Sequence, residues 1–166
     1  MDTTHRAAKG ARKPAAKVDA IALLKADHKQ VKAWFGEFEK ASSAARKQEL
    51  ATKICDALRM HATIEEEIFY PAFLTATEDK DLHHEACVEH AGAKHLIGKI
   101  EASSPADDYF DSKVHVLSEM IKHHVKEEEQ PGGMFAEARK SGMDLQELGA
   151  KMQARKQGPP PVRSEK

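Results

Sequence analysis

Four long stretches of this sequence carry apolar side chains at alternating steps of three and four residues, the spacing of a helix that buries one face in a bundle. A histidine interrupts each of the four faces, and a glutamate also interrupts two of them. The faces consist of Ile21, Leu24, His28, Val31, Phe35 and Phe38; Ile54, Leu58, His61, Glu65 and Ile68; Ala86, His90, Ala93, Ile97 and Ile100; and Phe110, Val114, Leu117, Ile121, His124 and Glu128. This pattern predicts packed helices with polar groups in their shared core.

The fold predicted from these stretches is all-α, an antiparallel up-down four-helix bundle, because the connections between the helices are short. The predicted main helices run from Asp19 to Lys40, from Ser43 to Tyr70, from Asp79 to Ser103, and from Pro105 to Gln130. We expect the second helix to stop before Pro71, since proline disfavours helix at the residue before it. Two shorter pieces, Met134–Lys140 and Leu145–Lys156, form a short C-terminal helical appendix.

The ends of the chain differ in composition from the middle. Residues 1–18 carry five Lys and Arg among Ala and Gly and have little to bury, which predicts a disordered basic arm. Residues 158–166 include three consecutive prolines and predict a disordered tail. The bundle itself is expected over residues 19–157, as one domain of the 166-residue chain.

Charge and hydropathy limit the classes of partner. A formal net charge of −1 gives no overall basic field for nucleic acid or for an anionic membrane. No stretch has the apolar length of a membrane span, and the N-terminal residues do not form a secretory signal. The sequence therefore predicts a cytoplasmic protein without a membrane partner.

Buried histidines and glutamates need a compensating charge. A single histidine on an apolar face is more often a hydrogen-bonded core residue than a metal ligand, but two carboxylates buried with four imidazoles would be costly without a cation. His61 with Glu65, and His124 with Glu128, are each four residues apart and point from one helix face to the same spot. This repeat of His-x-x-x-Glu predicts a metal site in the core.

The donor set indicates which metal. Four neutral nitrogens and two carboxylates without a thiolate suit iron or manganese better than structural zinc. If each glutamate bridges two metals, the protein supplies eight bonds, and a bridging oxide or hydroxide adds two. Two six-coordinate metals need twelve bonds, which leaves two positions for exogenous ligands.

Several segments, Asp27-His28, HATIEEE, VEHAGAKHLI and HHVKEEE, resemble those of the hemerythrin-like proteins, also called the HHE cation-binding domain family. The resemblance implies a four-helix bundle around an oxo-bridged non-haem di-iron centre that handles dioxygen, peroxide or nitric oxide, or senses iron or oxygen. By motif position, it assigns the metal-ligand roles to His28, His61, Glu65, His90, His124 and Glu128.

One position departs from the oxygen-carrying members of that family. Their third helix brings two histidines four residues apart, whereas Lys94 follows His90 at that spacing here. His95 lies about 140° from the His90 face at 3.6 residues per turn and is a poor substitute. The missing nitrogen argues against reversible oxygen carriage and favours peroxide or redox chemistry.

The remaining histidines, acidic residues and aromatic residues are not predicted to bind the metal. His123 falls one step off the buried face, so His124 is the predicted ligand of the fourth helix. We expect four histidines, His83, His84, His95 and His115, to face solvent. Glu66, Glu127 and Asp27 are candidate hydrogen-bond acceptors for ligand histidines. Trp34, Tyr70 and Tyr109 are expected to be packing or rim residues.

Three functional hypotheses follow. The first is a di-iron protein that handles small oxygen or nitrogen species, with catalase-like turnover as one form. The second is a non-catalytic module that binds iron or senses iron or oxygen, so the sequence leaves open whether the protein is an enzyme. The third, carried only by the basic arm, is a nucleic-acid accessory role, and the net charge argues against it.

Overall fold

The computed structural model describes residues 18–162, and within this range all regular secondary structure is helical. The helices are α1 (Ala20–Lys40), α2 (Ala44–Ile64), a π turn (Glu65–Phe69), α3 (Tyr70–Thr77), α4 (Lys80–Glu101), α5 (Phe110–Glu129), α6 (Met134–Lys140) and α7 (Leu145–Lys156). The predicted all-α bundle and its two-helix appendix are confirmed. The predicted basic arm lies outside the described residues apart from Val18. The predicted tail is described as far as Val162, without a helix in that part.

Side-chain caps fix where three of the main helices begin. Asp19 accepts a hydrogen bond from the Ala22 N–H at 2.8 Å, and Ser43 accepts one from the Arg46 N–H at 3.2 Å. Asp79 caps α4 in the same way through the Leu82 N–H. Each cap satisfies a backbone donor that the first helical turn leaves without a partner.

The second helical stretch does not stop before Pro71, so that prediction was wrong. The chain passes through the π turn, in which the Tyr70 N–H bonds to the Glu65 carbonyl, and continues as α3 to Thr77. Proline lacks an N–H and its ring clashes with the carbonyl four residues earlier, so a helix tolerates it where the turn is widened. Pro71 accordingly lies at the start of α3.

The fourth main helix begins later than predicted. The Ser104 N–H donates a hydrogen bond to Asp107 at 2.7 Å, but residues 105–109 make turns and α5 starts only at Phe110. Phe110 is fully buried, whereas Tyr109 is exposed. Regular helix therefore starts where the chain first has a side chain to bury in the bundle.

Two hydrophobic clusters fill the bundle. One lies towards the α1–α2 connection and includes Phe35, Leu50 and Leu117; the other lies towards α6 and α7 and includes Leu24, Phe69 and Met152. The predicted ligand residues occupy the positions between these clusters on each of the four main helices. No helix within residues 18–162 has the length and hydropathy needed to cross a membrane.

Candidate metal centre

All six predicted ligand residues meet in one buried layer, and none has a relative exposure above 8%. They form two groups, within each of which one potential ligand atom per residue lies within 4.8 Å of the others. We call these groups the first triad (His28, His61 and Glu128) and the second triad (Glu65, His90 and His124). The structure thus brings together every residue that the sequence singled out, and their role as ligands stays a prediction.

The imidazoles turn their Nε2 atoms towards the centre of the layer. The Nε2 atoms of His28 and His61 are 3.1 Å apart, and those of His90 and His124 are 3.2 Å apart. Two aromatic nitrogens at this distance can share at most one proton, and in neutral rings with Nδ1 protonated they face each other with lone pairs only. This arrangement suits a cation placed among the Nε2 atoms.

Each glutamate contacts histidines from both triads. Glu65 Oε1 lies 2.8 Å from His61 Nε2 and 3.4 Å from His90 Nε2. Glu128 Oε1 lies 3.0 Å from His124 Nε2 and 3.4 Å from His28 Nε2. The two carboxylates therefore lie between the triads, in the position that a bridging ligand would take.

Three buried oxygens of these glutamates have no neighbour in hydrogen-bond geometry. Both oxygens of Glu65 and Oε1 of Glu128 lack a hydrogen-bond partner in the structure. Leaving such a group unpaired in a protein interior costs about 1–3 kcal/mol, and more when the group is charged. Oxygens that approach imidazole nitrogens closely but are not aimed at them fit ligands directed at a shared ion.

A second layer of carboxylates lies behind the four imidazoles, at their Nδ1 atoms. Asp27 Oδ2 is 3.0 Å from His61 Nδ1, and Glu89 Oε1 is 3.0 Å from His124 Nδ1. Glu66 is 3.5 Å from His90 Nδ1, and Glu129 is 3.6 Å from His28 Nδ1. At His61 and His124 the carboxylate keeps the proton on Nδ1, which leaves the Nε2 lone pair free for a metal. The Nδ1 atoms of His28 and His90 have a carboxylate nearby but no hydrogen-bond partner.

Sequence reasoning found part of this second layer. Asp27 forms the predicted hydrogen bond to a ligand histidine, whereas Glu66 lies 3.5 Å from His90 Nδ1 without hydrogen-bond geometry. The third candidate, Glu127, accepts a hydrogen bond from Gln130 instead. Glu89 and Glu129 were missed. Each is directly adjacent in sequence to a predicted ligand, His90 or Glu128, yet each serves a histidine on another helix, so local spacing gave no signal for the pairing.

The buried charges determine the protonation of the centre. Burial alone would lower the pKa of His61, but the carboxylates of Glu65 and Asp27 raise it to about 10. Burial opposes the charged form of His124 as well, and Glu128 with Glu65 and Glu89 raises its pKa to about 12. In the metal-free chain both rings are therefore positively charged imidazolium groups at neutral pH, and a metal must displace one proton from each ring that it binds.

Tyr70 was predicted to be a packing or rim residue, and its position corrects that prediction. The side chain has a relative exposure of 1%, and its hydroxyl lies 3.1 Å from His90 Nε2 and 3.4 Å from both His124 Nε2 and Glu128 Oε2. At 3.6 residues per turn, Tyr70 would lie about 140° from the face of Glu65. The π turn widens this segment and brings the hydroxyl into the layer.

The other histidines within residues 18–162 lie outside the triads. His84, His95, His115 and His123 are exposed, as expected for the first three. His83 is half-buried rather than solvent-facing, because its ring packs edge-on against Tyr70 with ring centroids 6.2 Å apart. It thus covers the outer side of the tyrosine that enters the centre.

Lys94 lies beside the centre, and its charge is paired with the carboxylate of Glu66. Its ammonium contacts the Glu66 carboxylate at 2.6 Å, and its side chain is 39% exposed. Lys94 also lines a cavity of about 40 Å³ that reaches all four predicted ligand histidines. The apolar part of its wall is formed by eight side chains: Val31, Leu58, Ala62, Ala93, Ile97, Met120, Ile121 and Val125.

Comparisons with known proteins agree with this geometry. The family model of the hemerythrin HHE cation binding domain matches residues 19–131, more than half of the chain. A crystal structure of a hemerythrin HHE cation binding domain-containing protein from Mycobacterium kansasii superposes with a TM-score of 0.69 and 26% identity, covering 84% of this chain and 86% of that one. A DNA nickase from Nostoc sp. is 30% identical over 107 residues, which are 64% of this chain but 30% of the nickase. The chain therefore spans less than a third of that relative's length.

Proposed function

Because the chain belongs to the hemerythrin HHE cation binding domain family, we propose that it is a non-haem iron protein that holds two iron ions, one at each triad. The observation that carries this proposal is the convergence of four Nε2 atoms and two carboxylates in one buried layer. The donor set of nitrogen and oxygen without sulfur suits iron, with manganese as the alternative metal. The oxygens of Glu65 and Glu128 that lack hydrogen-bond geometry fit this assignment, since they could be directed at a bound cation.

Within the proposed centre, the two glutamates would bridge the metals and the histidines would bind one metal each. Glu65 and Glu128 each contact histidines of both triads, at 2.8–3.4 Å and 3.0–3.4 Å respectively. Asp27 and Glu89 would hold the rings of His61 and His124 with Nε2 towards the metal. An oxide or hydroxide would complete the bridge.

Tyr70 would supply a further ligand on the side of the second triad. Its hydroxyl lies 3.1 Å from His90 Nε2. His90 belongs to the same helix, α4, on which Lys94 occupies the position where the oxygen-carrying family members have a second histidine. In the metal-free chain, burial and then the charges of Glu65 and Glu128 raise the Tyr70 pKa well above its usual value. A bound ferric ion would reverse that balance and favour the phenolate. With this ligand, one of the two predicted open positions remains.

The cavity beside the centre limits what can reach that position. Its volume of about 40 Å³ holds only a few atoms, since a single water needs about 10–15 Å³ of such space. The largely apolar wall excludes bulk water and admits a small molecule such as dioxygen, hydrogen peroxide or nitric oxide. Two bound iron ions would supply redox chemistry towards these molecules, with catalase-like turnover of peroxide as the reaction to test first.

Two measurements test the iron proposal. Metal analysis of the full chain after anaerobic iron loading and desalting should give two irons per chain, and the oxidised protein should show near-ultraviolet charge-transfer absorption. Stopped-flow mixing with hydrogen peroxide should then change the spectrum and release oxygen. A colourless protein that retains no iron would refute the metal assignment. A loaded protein that neither changes spectrum nor releases oxygen would refute the proposed reaction alone.

A second candidate function is a non-catalytic module that senses iron or oxygen. The observation that favours it is the position of the polar layer, which separates the two hydrophobic clusters of the bundle. Metal bound at this layer would stabilise both halves together, so loss of the metal would loosen the bundle. Slower proteolysis in the presence of iron, without turnover of peroxide, would support this function over the first.

A further inference from the structure

The C-terminal helix α7 lies beyond the family match, which ends at residue 131, yet it packs against α1 and the π turn, two elements that carry predicted ligands. Met152 is fully buried in the hydrophobic cluster near Leu24. A side-chain carbon at Gly149 would collide with the Val18 carbonyl oxygen, so α7 approaches the start of α1 as closely as a backbone can. Arg155 also bonds to Glu67 at 3.0 Å, which ties α7 to the π turn.

The last residue of α7 reaches the second layer of the centre. The Lys156 ammonium lies 2.5 Å from Asp27 Oδ1, and the other oxygen of the same carboxylate is 3.0 Å from His61 Nδ1. The two contacts together use both oxygens of Asp27 and fix its orientation. The Lys156 side chain is 33% exposed and that of Asp27 is 20% exposed, so water screens the pair only in part.

The four carboxylates behind the histidines are not equally supported. Asp27 is held by Lys156 from α7, and Glu66 is held by Lys94 from α4. The contact from Asp27 to its histidine, at 3.0 Å, is shorter than the 3.5 Å contact from Glu66 to His90. Asp27 therefore makes two contacts: a hydrogen bond to His61, a predicted ligand, and an ion pair with Lys156, which lies outside the four main helices.

We propose that Lys156 is a positioning residue for the first triad: it holds Asp27, and Asp27 holds the His61 ring with Nε2 directed at the metal. The inference rests on the proposed metal function, because it assigns His61 the role of a ligand. In this proposal, the C-terminal appendix supports the metal centre in addition to packing against the hydrophobic core. The first triad should consequently depend on Lys156, while the second triad should not.

Metal release from the iron(II)-loaded full chain into excess chelator tests this dependence. Lys156→Met should accelerate release of one of the two irons by about tenfold, the lower end of the loss of metal affinity that follows mutation of a direct outer partner such as Asp27. Lys156→Arg should restore the slow rate. The matched control is Lys151→Met, which removes a lysine of the same helix that pairs with Glu147. In the Asp27→Asn variant, adding Lys156→Met should not increase the rate of iron release further.

Equal acceleration of both irons would indicate general loosening of the bundle and would overturn the inference, as would an identical effect of Lys151→Met. The metal-free chain provides an independent readout. In ¹⁵N NMR spectra, the Nδ1 proton of His61 should exchange faster with water in Lys156→Met than in the wild type or in Lys151→Met. Unchanged exchange would overturn the inference. Faster exchange in a chain that binds no iron would support the inference about Asp27 and His61 and refute the proposed function alone.

Discussion

Replacing Glu65 by glutamine removes one negative charge from the centre and preserves the shape of the side chain. Glu65 is fully buried, and its Oε1 lies 2.8 Å from His61 Nε2 and 3.4 Å from His90 Nε2. Because this carboxylate contacts both triads, its loss affects both proposed metals. We expect bound iron in Glu65→Gln to fall from two per chain towards one or none, as measured by metal analysis after loading and desalting.

The same substitution should destabilise the metal-free chain. Removing one partner of a buried ion pair costs about 3–5 kcal/mol, and His61 keeps Asp27 as a second partner, so we expect a loss of about 2–3 kcal/mol. For a chain of this size, that loss corresponds to a melting temperature lower by about 5–10 °C. Thermal unfolding of the apo protein, followed by circular dichroism, measures this difference.

Glu67→Gln is the matched control, since Glu67 lies in the same π turn but its side chain is 52% exposed and pairs with Arg155 on the surface. This variant should keep both irons and change stability by no more than about 0.5 kcal/mol. Two irons retained in Glu65→Gln, or equal melting temperatures in the two variants, would refute the reasoning that places Glu65 between the metals.

Three further outcomes follow from the same geometry. Tyr70→Phe should retain iron but lose visible phenolate-to-iron(III) charge-transfer absorption; an unchanged visible spectrum would show that the hydroxyl is not a ligand. Ala93→Leu should fill the cavity and slow the reaction with peroxide at unchanged iron content, with an overpacking cost of about 1–3 kcal/mol; an unchanged rate would mean that peroxide takes another route. In the metal-free chain, the pKa of His61 is raised from 6.5 to about 10, so its stabilising effect is complete below about pH 6.5 and is lost as the pH rises through 10. At the acid end, Glu89 has a pKa lowered by its bond to His124, and its contribution is lost as the pH falls below its ordinary value of 4.5. The apo melting temperature should therefore be highest between about pH 5 and 6.5, and a flat profile up to pH 10 would contradict these charges.

The six predicted ligands could be found from the sequence because their signal is local. A histidine or glutamate that interrupts a face of apolar residues at steps of three and four must point into the core, whatever the neighbouring helices do. The caps Asp19, Ser43 and Asp79 are local for the same reason, since each bonds to a backbone group three residues away. The periodicity of the side chains therefore determined that the chain forms a helical bundle, which residues its core contains, and which of them are candidate ligands.

Only the tertiary structure decided which groups surround those ligands. The pairing of Asp27 with His61, of Glu89 with His124 and of Lys156 with Asp27 joins residues 34, 35 and 129 positions apart, and it depends on the rotation and axial shift of whole helices. Tyr70 escaped prediction because the π turn after Glu65 changes the angular step along the helix, which a constant 3.6-residue period cannot represent. The sequence determined which side chains must be buried together, because burial follows from local periodicity. The packing of the helices decided their partners, because contacts between helices depend on geometry that no local pattern contains.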